Sequence, residues 1–280
     1  MNKTNLIIFI LLGLLVGLGV SIYFQNNQIS EQIPLDVQPT LPEEPVKNAI
    51  VHYPVPEPTT NPVTEPPKQN EGKTPSVATQ PEDNLPTVQV NNKNAQLSLI
   101  KSFNSQLAIK LLYMENFIQK FVVTVDNLPE KRLPRAHLPV KAPGGKFLVA
   151  GTAEAPQSSS RNYKRYNKYI LLLESINQDL AIQFYTSFYP LFQSAYEQLG
   201  YKNAYFNDRF VYVINHLLAT PNPPDPILLA QPGVLFTYVD PNLEKLSAGQ
   251  KVLLRLGHEQ RTKVLKILES YRDRLTSLHP

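Results

Sequence analysis

Asn177–Gly200 reads NQDLAIQFYTSFYPLFQSAYEQLG. Leu180, Phe184, Phe188, Leu191, Ala195 and Leu199 recur at three and four positions, which puts them on one face of an α-helix. Asn177 offers a capping oxygen, Asp179 places negative charge in the first turn, and Gly200 closes the C-terminus. Pro190 deletes the bond to residue 186, so the helix is expected to bend there or to divide in two. An apolar face of this kind must be covered by other elements, and the flanking sequence supplies them.

Leu107, Leu111, Met114, Ile118, Phe121 and Val125 form a second stripe, predicting one helix from near Leu97 to Asp126-Asn127. Arg161–Ile176 reads as another helix, rich in tyrosine. Asn207 or Asp208 can cap a helix through about Ala219, which the run PNPPDP (Pro221–Pro226) ends. Ser247 and His258 open two final helical stretches, the last with Val264, Leu268, Tyr271 and Leu275 on one side. Strand signals are confined to KFLVA (Lys146–Ala150) and VLFTYV (Val234–Val239). The expected fold class is mostly α: a compact helical domain, 96–280, with a small β-hairpin.

Upstream the composition changes. Of the 26 prolines, 13 fall between Gln25 and Ala95, with no apolar periodicity, so 25–95 is expected to be a disordered, acidic, Pro-rich linker. Four lysines against nine acids give it a charge of −5, whereas 96–280 carries 22 Lys and Arg against 14 acids, or +8. Leu6–Phe24 is 19 residues without a charge, long enough as a helix for one bilayer crossing. Lys3 lies in the short stub 1–5 before it, and no basic residue follows until Lys47, so the N-terminus is expected in the cytoplasm. The one small-x-small candidate for cleavage is Gly19-Val20-Ser21, and the apolar run exceeds a usual signal-peptide core. These features predict an uncleaved single-pass anchor in a bacterial inner membrane and a periplasmic domain.

The chain has no cysteine, which excludes disulfides, thiolate metal sites and a cysteine nucleophile. It also lacks a GxSxG elbow, an HExxH pair and a complete phosphate-binding glycine loop. His137, His216 and His258 are isolated in sequence, and a lone histidine such as His216 reads as structural. No metal or cofactor is expected. Lys131, Arg132, Arg135, Lys141 and Lys146 make a cationic loop interrupted by three prolines. In the expected compartment its anions would be cell-wall carboxylates, lipopolysaccharide phosphates, anionic lipid or an acidic protein face, not nucleic acid.

FVVTVDNLP (Phe121–Pro129), LPRAHLPVKAPGGKFLV (Leu133–Val149), YPLFQSAYEQLGYKNAYFNDR (Tyr189–Arg209), VINHLLATP (Val213–Pro221) and LSAGQKVLLRLG (Leu246–Gly257) together resemble a bacterial envelope family, domain of unknown function 3014. The resemblance covers nearly all of 96–274 and implies an anchored protein with a low-complexity spacer, but no activity. Asn215 stands where the family's pattern implies an acid. Within these motifs Asp126, Asn127, Tyr205, Asn207, Asp208 and Arg209 are the candidate binding residues, since they offer stacking, amide and bidentate hydrogen bonding. The competing account makes Asn207 or Asp208 a helix cap and pairs Arg209 with a nearby acid. Two functions follow: a non-catalytic module that binds an envelope protein or cell-wall polymer, or an envelope hydrolase that acts through carboxylates.

Overall fold

A computed structural model describes residues 52–56, 91, 93–95, 98 and 106–278. The helices are α1 (Gln106–Leu111), α2 (Phe117–Asn127), α3 (Arg161–Lys164), α4 (Asn167–Glu174), α5 (Gln178–Glu197), α6 (Phe206–Leu218), α7 (Pro241–Glu244), α8 (Ala248–Arg255) and α9 (His258–Thr276). The strands are β1 (Val149–Gly151), β2 (Pro156–Ser158), β3 (Leu229–Ala230) and β4 (Thr237–Tyr238). The anchor expected at Leu6–Phe24 lies outside the described residues, among which no helix is long and apolar enough to cross a membrane.

Helix α5 starts as its sequence dictates, with the Asn177 side chain accepting from the N–H groups of Asp179 and Leu180 at 3.0 and 3.2 Å. It runs unbroken through Pro190. The proline sits on the exposed side of the helix. Phe184, Phe188 and Ala195 are buried as expected, together with Ala181, Tyr185, Phe192 and Tyr196. Leu180 and Leu191 of the expected stripe are only partly buried and Leu199 is exposed, so the covered face is rotated from the stripe toward the aromatic residues.

Helices α2, α5, α6 and α9 pack around one core. Phe121 is its hub: its ring meets Phe192, Phe206 and Phe210 edge-on at centroid distances of 5.9, 6.2 and 5.6 Å. Burying each such ring stabilises the fold by roughly 1.5–3 kcal/mol, and the edge-on geometry adds about 0.5–1.5 kcal/mol per pair. Val264, Leu268, Tyr271 and Leu275 face this core from α9, as their spacing predicts.

Within the single helix predicted from near Leu97 to Asp126-Asn127, the described residues from Gln106 onward form instead α1, a corner and α2. Leu112 bridges Val140, the Tyr113 N–H donates to the Pro139 carbonyl at 2.8 Å, and Lys141 N–H donates to the Leu111 carbonyl at 2.8 Å. Pairing with the 139–141 segment outcompetes helix continuation. Asn116, at φ 51°, reverses the chain in a left-handed conformation that asparagine tolerates. Arg161–Ile176 similarly divides into α3 and α4, around the buried Tyr166.

One hairpin was expected and two antiparallel ladders are present, β1 with β2 and β3 with β4, joined by a bridge between Gln157 and Leu228. Pro156–Ser158 and Leu229–Ala230 are too short to show alternation. Ser247 opens α8 with a capping box, its hydroxyl accepting from the Gln250 N–H while the Gln250 side chain accepts from the Ser247 N–H. Gly249 lets α8 lie against α2's end, because a Cβ there would stand 2.9 Å from the Leu128 carbonyl oxygen.

Two described pieces of the expected linker belong to the fold: His52–Pro56, and the helical turn over 93–95, whose Ala95 is buried in the main core. His52–Pro56 lie against the domain without helix or strand bonding, and Tyr53 and Val55 pack on the main core. Proline density denies this region a core of its own, but it does not prevent the segment from borrowing one.

Candidate functional site

The first turn of α6 carries Asn207, Asp208 and Arg209 side by side, so successive side chains leave the helix about 100° apart. The turn is not capped by any of them. Its N-cap is Tyr205, without a side-chain cap bond. The open N–H groups are satisfied from α5: Gln193 Oε1 accepts from Phe206 N–H at 2.9 Å, and the Tyr189 hydroxyl accepts from Asn207 N–H at 3.3 Å. Gln193 also donates to the Ala204 carbonyl and to Glu197 Oε1, both at 2.9 Å. Capping across helices corrects the expectation for Asn207 and Asp208 and leaves their side chains available for other contacts.

Those contacts fall on the linker segment. The main-chain N–H of Tyr53 donates to Asp208 Oδ1 at 2.8 Å, and Asn207 Nδ2 donates to the Tyr53 carbonyl at 2.9 Å. Both polar groups of one peptide residue are thus read by two adjacent side chains, as a neighbouring strand would read them. Asp208 Oδ2 lies 2.9 Å from His52 Nδ1, and the His52 ring lies 4.1 Å from the ring of Tyr205. Tyr205 is 52% exposed, so the site opens to solvent on that side.

Asn207 is fully buried and held from behind. Its Oδ1 accepts from the Tyr185 hydroxyl at 3.0 Å, while its Nδ2 also donates to the Leu275 carbonyl at 3.3 Å. Burial pushes the Tyr185 hydroxyl well above its ordinary pKa and Tyr189 up to about 12, so both are neutral donors at physiological pH.

Asp126 and Arg209 form the neighbouring cluster. Arg209 Nε donates to Asp126 Oδ1 at 2.9 Å and its NH2 to the Asp126 carbonyl at 2.8 Å, while the Tyr201 hydroxyl donates to Oδ2 at 3.4 Å. The Arg209 guanidinium also stacks 5.2 Å from the Tyr212 ring, which is exposed. Pairing of Arg209 with a nearby acid is therefore observed. Asn127 faces elsewhere, returning its amide to the Val123 carbonyl at 2.8 Å.

The five loop cations are all exposed. Lys131 reaches the Lys245 carbonyl, and Lys141 lies 5.8 Å from the Tyr113 ring. The loop itself is held by Arg165, which donates to the carbonyls of Lys146, Gly145 and Pro143 at 3.0, 2.9 and 3.4 Å. The hydroxyl of Tyr169 adds a bond of 2.8 Å to the Lys141 carbonyl. His216, read as structural, lies 2.9 Å from the Ser247 hydroxyl. Among the described residues no group of three His, Asp or Glu is placed to hold a metal ion.

Sequence reasoning missed Tyr185, Tyr189 and Gln193, although their four-residue spacing marks a polar stripe beside the apolar one on α5. It also missed His52 and Tyr53, which carry no local signal. The site matches side-chain hydrogen bonding to an extended polypeptide, with an aromatic shelf at Tyr205 and a cation–aromatic pair at its edge. Neither a curated protein nor a solved structure matches the chain. Residues 117–272, more than half of its length, match the model of the family described as Protein of unknown function (DUF3014), and the chain belongs to that family.

Proposed function

We propose that this chain is a single-pass protein of a bacterial inner membrane, anchored by Leu6–Phe24, and that its periplasmic domain is a non-catalytic binding module for an envelope protein or cell-wall polymer. The apolar, charge-free run with its basic residue on the N-terminal side supports the anchor and its direction. The single observation that carries the binding role is the use of Asn207 and Asp208: their hydrogen bonds go to the main chain of an extended segment, in a geometry suited to recognition. Asp126 and Asp208 support the same reading, because each carboxylate already accepts from two donor groups.

Two experiments test it. Alkaline phosphatase fused after Pro280 should be active in a diderm host, and an inactive fusion contradicts the topology. Photocrosslinkers placed at the exposed Tyr205 and Tyr212 of the full chain should trap one defined envelope component in intact cells. The same crosslinkers at exposed Leu171, on α4, should not trap it. Equal trapping from all three positions contradicts a dedicated binding face.

A further inference from the structure

The geometry points to a peptide-recognition groove at the start of α6, with His52–Pro56 of the same chain as its resident ligand. This deepens the binding-module reading and rests on it only for the compartment. The ligand class is an extended polypeptide of the pattern aromatic–proline–aliphatic–proline, here Tyr53-Pro54-Val55-Pro56.

Three features of the segment fit a ligand. Prolines 54 and 56 preset their own φ and confine Tyr53 and Val55 to extended conformations, so little chain entropy remains to be lost on docking. They also have no N–H to leave unpaired against the domain, and the one residue whose N–H and C=O are both engaged is Tyr53. Burial alternates along the segment: Tyr53 and Val55 are partly buried and pack on the core, while His52, Pro54 and Pro56 are exposed. Two anchors at spacing two on an extended chain are the pattern of strand or polyproline recognition.

The receptor half is held by contacts that do not involve the segment. Asn207 is oriented by the Tyr185 hydroxyl and the Leu275 carbonyl, and the α6 turn is capped by Gln193 and Tyr189. A site prepared in this way can be vacated without dismantling the helices behind it. Tyr53 and Asp208 are 155 positions apart, so the contact depends on long-range closure. Tethering supplies an effective concentration on the order of millimolar, enough to keep a weak ligand docked and still displaceable by a competing peptide. Docking also shortens the tether. From Gln25 to Val51 the chain has 27 residues, an extended reach of ~80 Å, against ~220 Å for all 71 residues from Gln25 to Ala95.

Because the chain has no cysteine, a single Val55→Cys in the full-length protein reports docking by its alkylation rate. Alkylation should run at least tenfold slower than in a synthetic 50–58 peptide bearing the same substitution, and Asp208→Asn or Tyr205→Ala should move it toward the peptide rate. In a second full-length variant, with His52, Tyr53 and Val55 replaced by serine, a fluorescent wild-type 50–58 peptide should bind. It should bind at least tenfold more weakly to the unmodified chain, and Asp208→Asn should abolish binding to the serine variant. A thiol alkylated at the free rate together with no peptide binding, in proteins whose circular dichroism shows an intact helical domain, overturns the proposal. Protection that rises with protein concentration overturns the intrachain assignment in favour of a second copy. Failure of the crosslinking above, with the thiol of the Val55→Cys variant still protected, removes the envelope function and leaves the groove standing.

Discussion

Two proline-bearing segments without regular structure are pinned to this domain by polar side chains from helices, and they differ in how firmly they are held. Asn222–Asp225 is clamped by Arg261 of α9, whose side chain is fully buried. Its Nε donates to Asn222 Oδ1 and its NH2 to the Pro223 carbonyl, each at 2.6 Å, and NH1 donates to the Leu254 carbonyl at 3.3 Å. Asp225 Oδ2 in turn accepts from the His258 N–H at 2.6 Å, where α9 begins. That segment joins α6 to β3, so it cannot leave without unfolding both ends. His52–Pro56 is held by hydrogen bonds of the same kind, but as the proposed resident ligand it leaves the α6 turn while the helices stay folded. In the groove proposal, connectivity more than bond chemistry is what separates a permanent clamp from a releasable one.

The largest effect should come from breaking the permanent clamp. Arg261→Met removes three charge-assisted hydrogen bonds, to the exposed Asn222 side chain, the half-buried Pro223 carbonyl and the buried Leu254 carbonyl, and is expected to cost about 3 kcal/mol of unfolding free energy. Urea denaturation followed by circular dichroism would show the shift, and an unchanged midpoint would mean that Arg261 clamps nothing.

Asn207→Ala lies between the two cases. It deprives the Tyr185 hydroxyl and the Leu275 carbonyl of a partner as well as freeing Tyr53, so both domain stability and docking should fall, the former by about 1–3 kcal/mol. Asp208→Asn sharpens the contrast. It removes the carboxylate shared by Tyr53 N–H and His52, so docking should be lost while the folding free energy measured in urea stays within about 1 kcal/mol of the original. Equal stability losses for Asn207→Ala and Asp208→Asn would show that the linker segment is as permanent as the loop under Arg261.

The smallest effect concerns pH. Burial, aided by the Arg209 charge and opposed by Glu130, lowers the His216 pKa below its ordinary 6.5. The unfolded chain then takes up the proton first, so this contribution to stability is fully present above about pH 6.5 and is lost as pH falls through that value toward the folded-state pKa. His216→Gln should flatten the stability profile in that window, measured as thermal midpoints between about pH 5 and 7. Docking of Tyr53 should not follow this change.

Much of the helical frame could be read directly. Asn177 and Ser247 are caps with side-chain bonds, and the α9 stripe is buried as spaced, because these features depend on residues within a turn or two of each other. Asp126 and Arg209 belonged to the same candidate set and do pair across 83 positions. The role of Asn207 was not legible, since an Asn at a helix start reads as a cap unless another helix has already taken that task, as Gln193 and Tyr189 of α5 have. The α1–α2 corner was hidden for a related reason: the apolar stripe continues through it, while the pairing that breaks the helix comes from Pro139, Val140 and Lys141. Composition marked 25–95 as coreless. Tyr53, Val55 and Ala95 are too few to contradict that average, and what covers them lies in another part of the chain.

Amide hydrogen exchange at Tyr53 in the full-length protein tests recognition by the α6 turn most directly, because that N–H is the one bonded to Asp208 Oδ1. It should exchange at least tenfold more slowly than the same amide in a free 50–58 peptide, and lose that protection on Asp208→Asn while core amides of α5 keep theirs. Exchange at the free-peptide rate in the unmodified chain would contradict recognition of the segment by this turn.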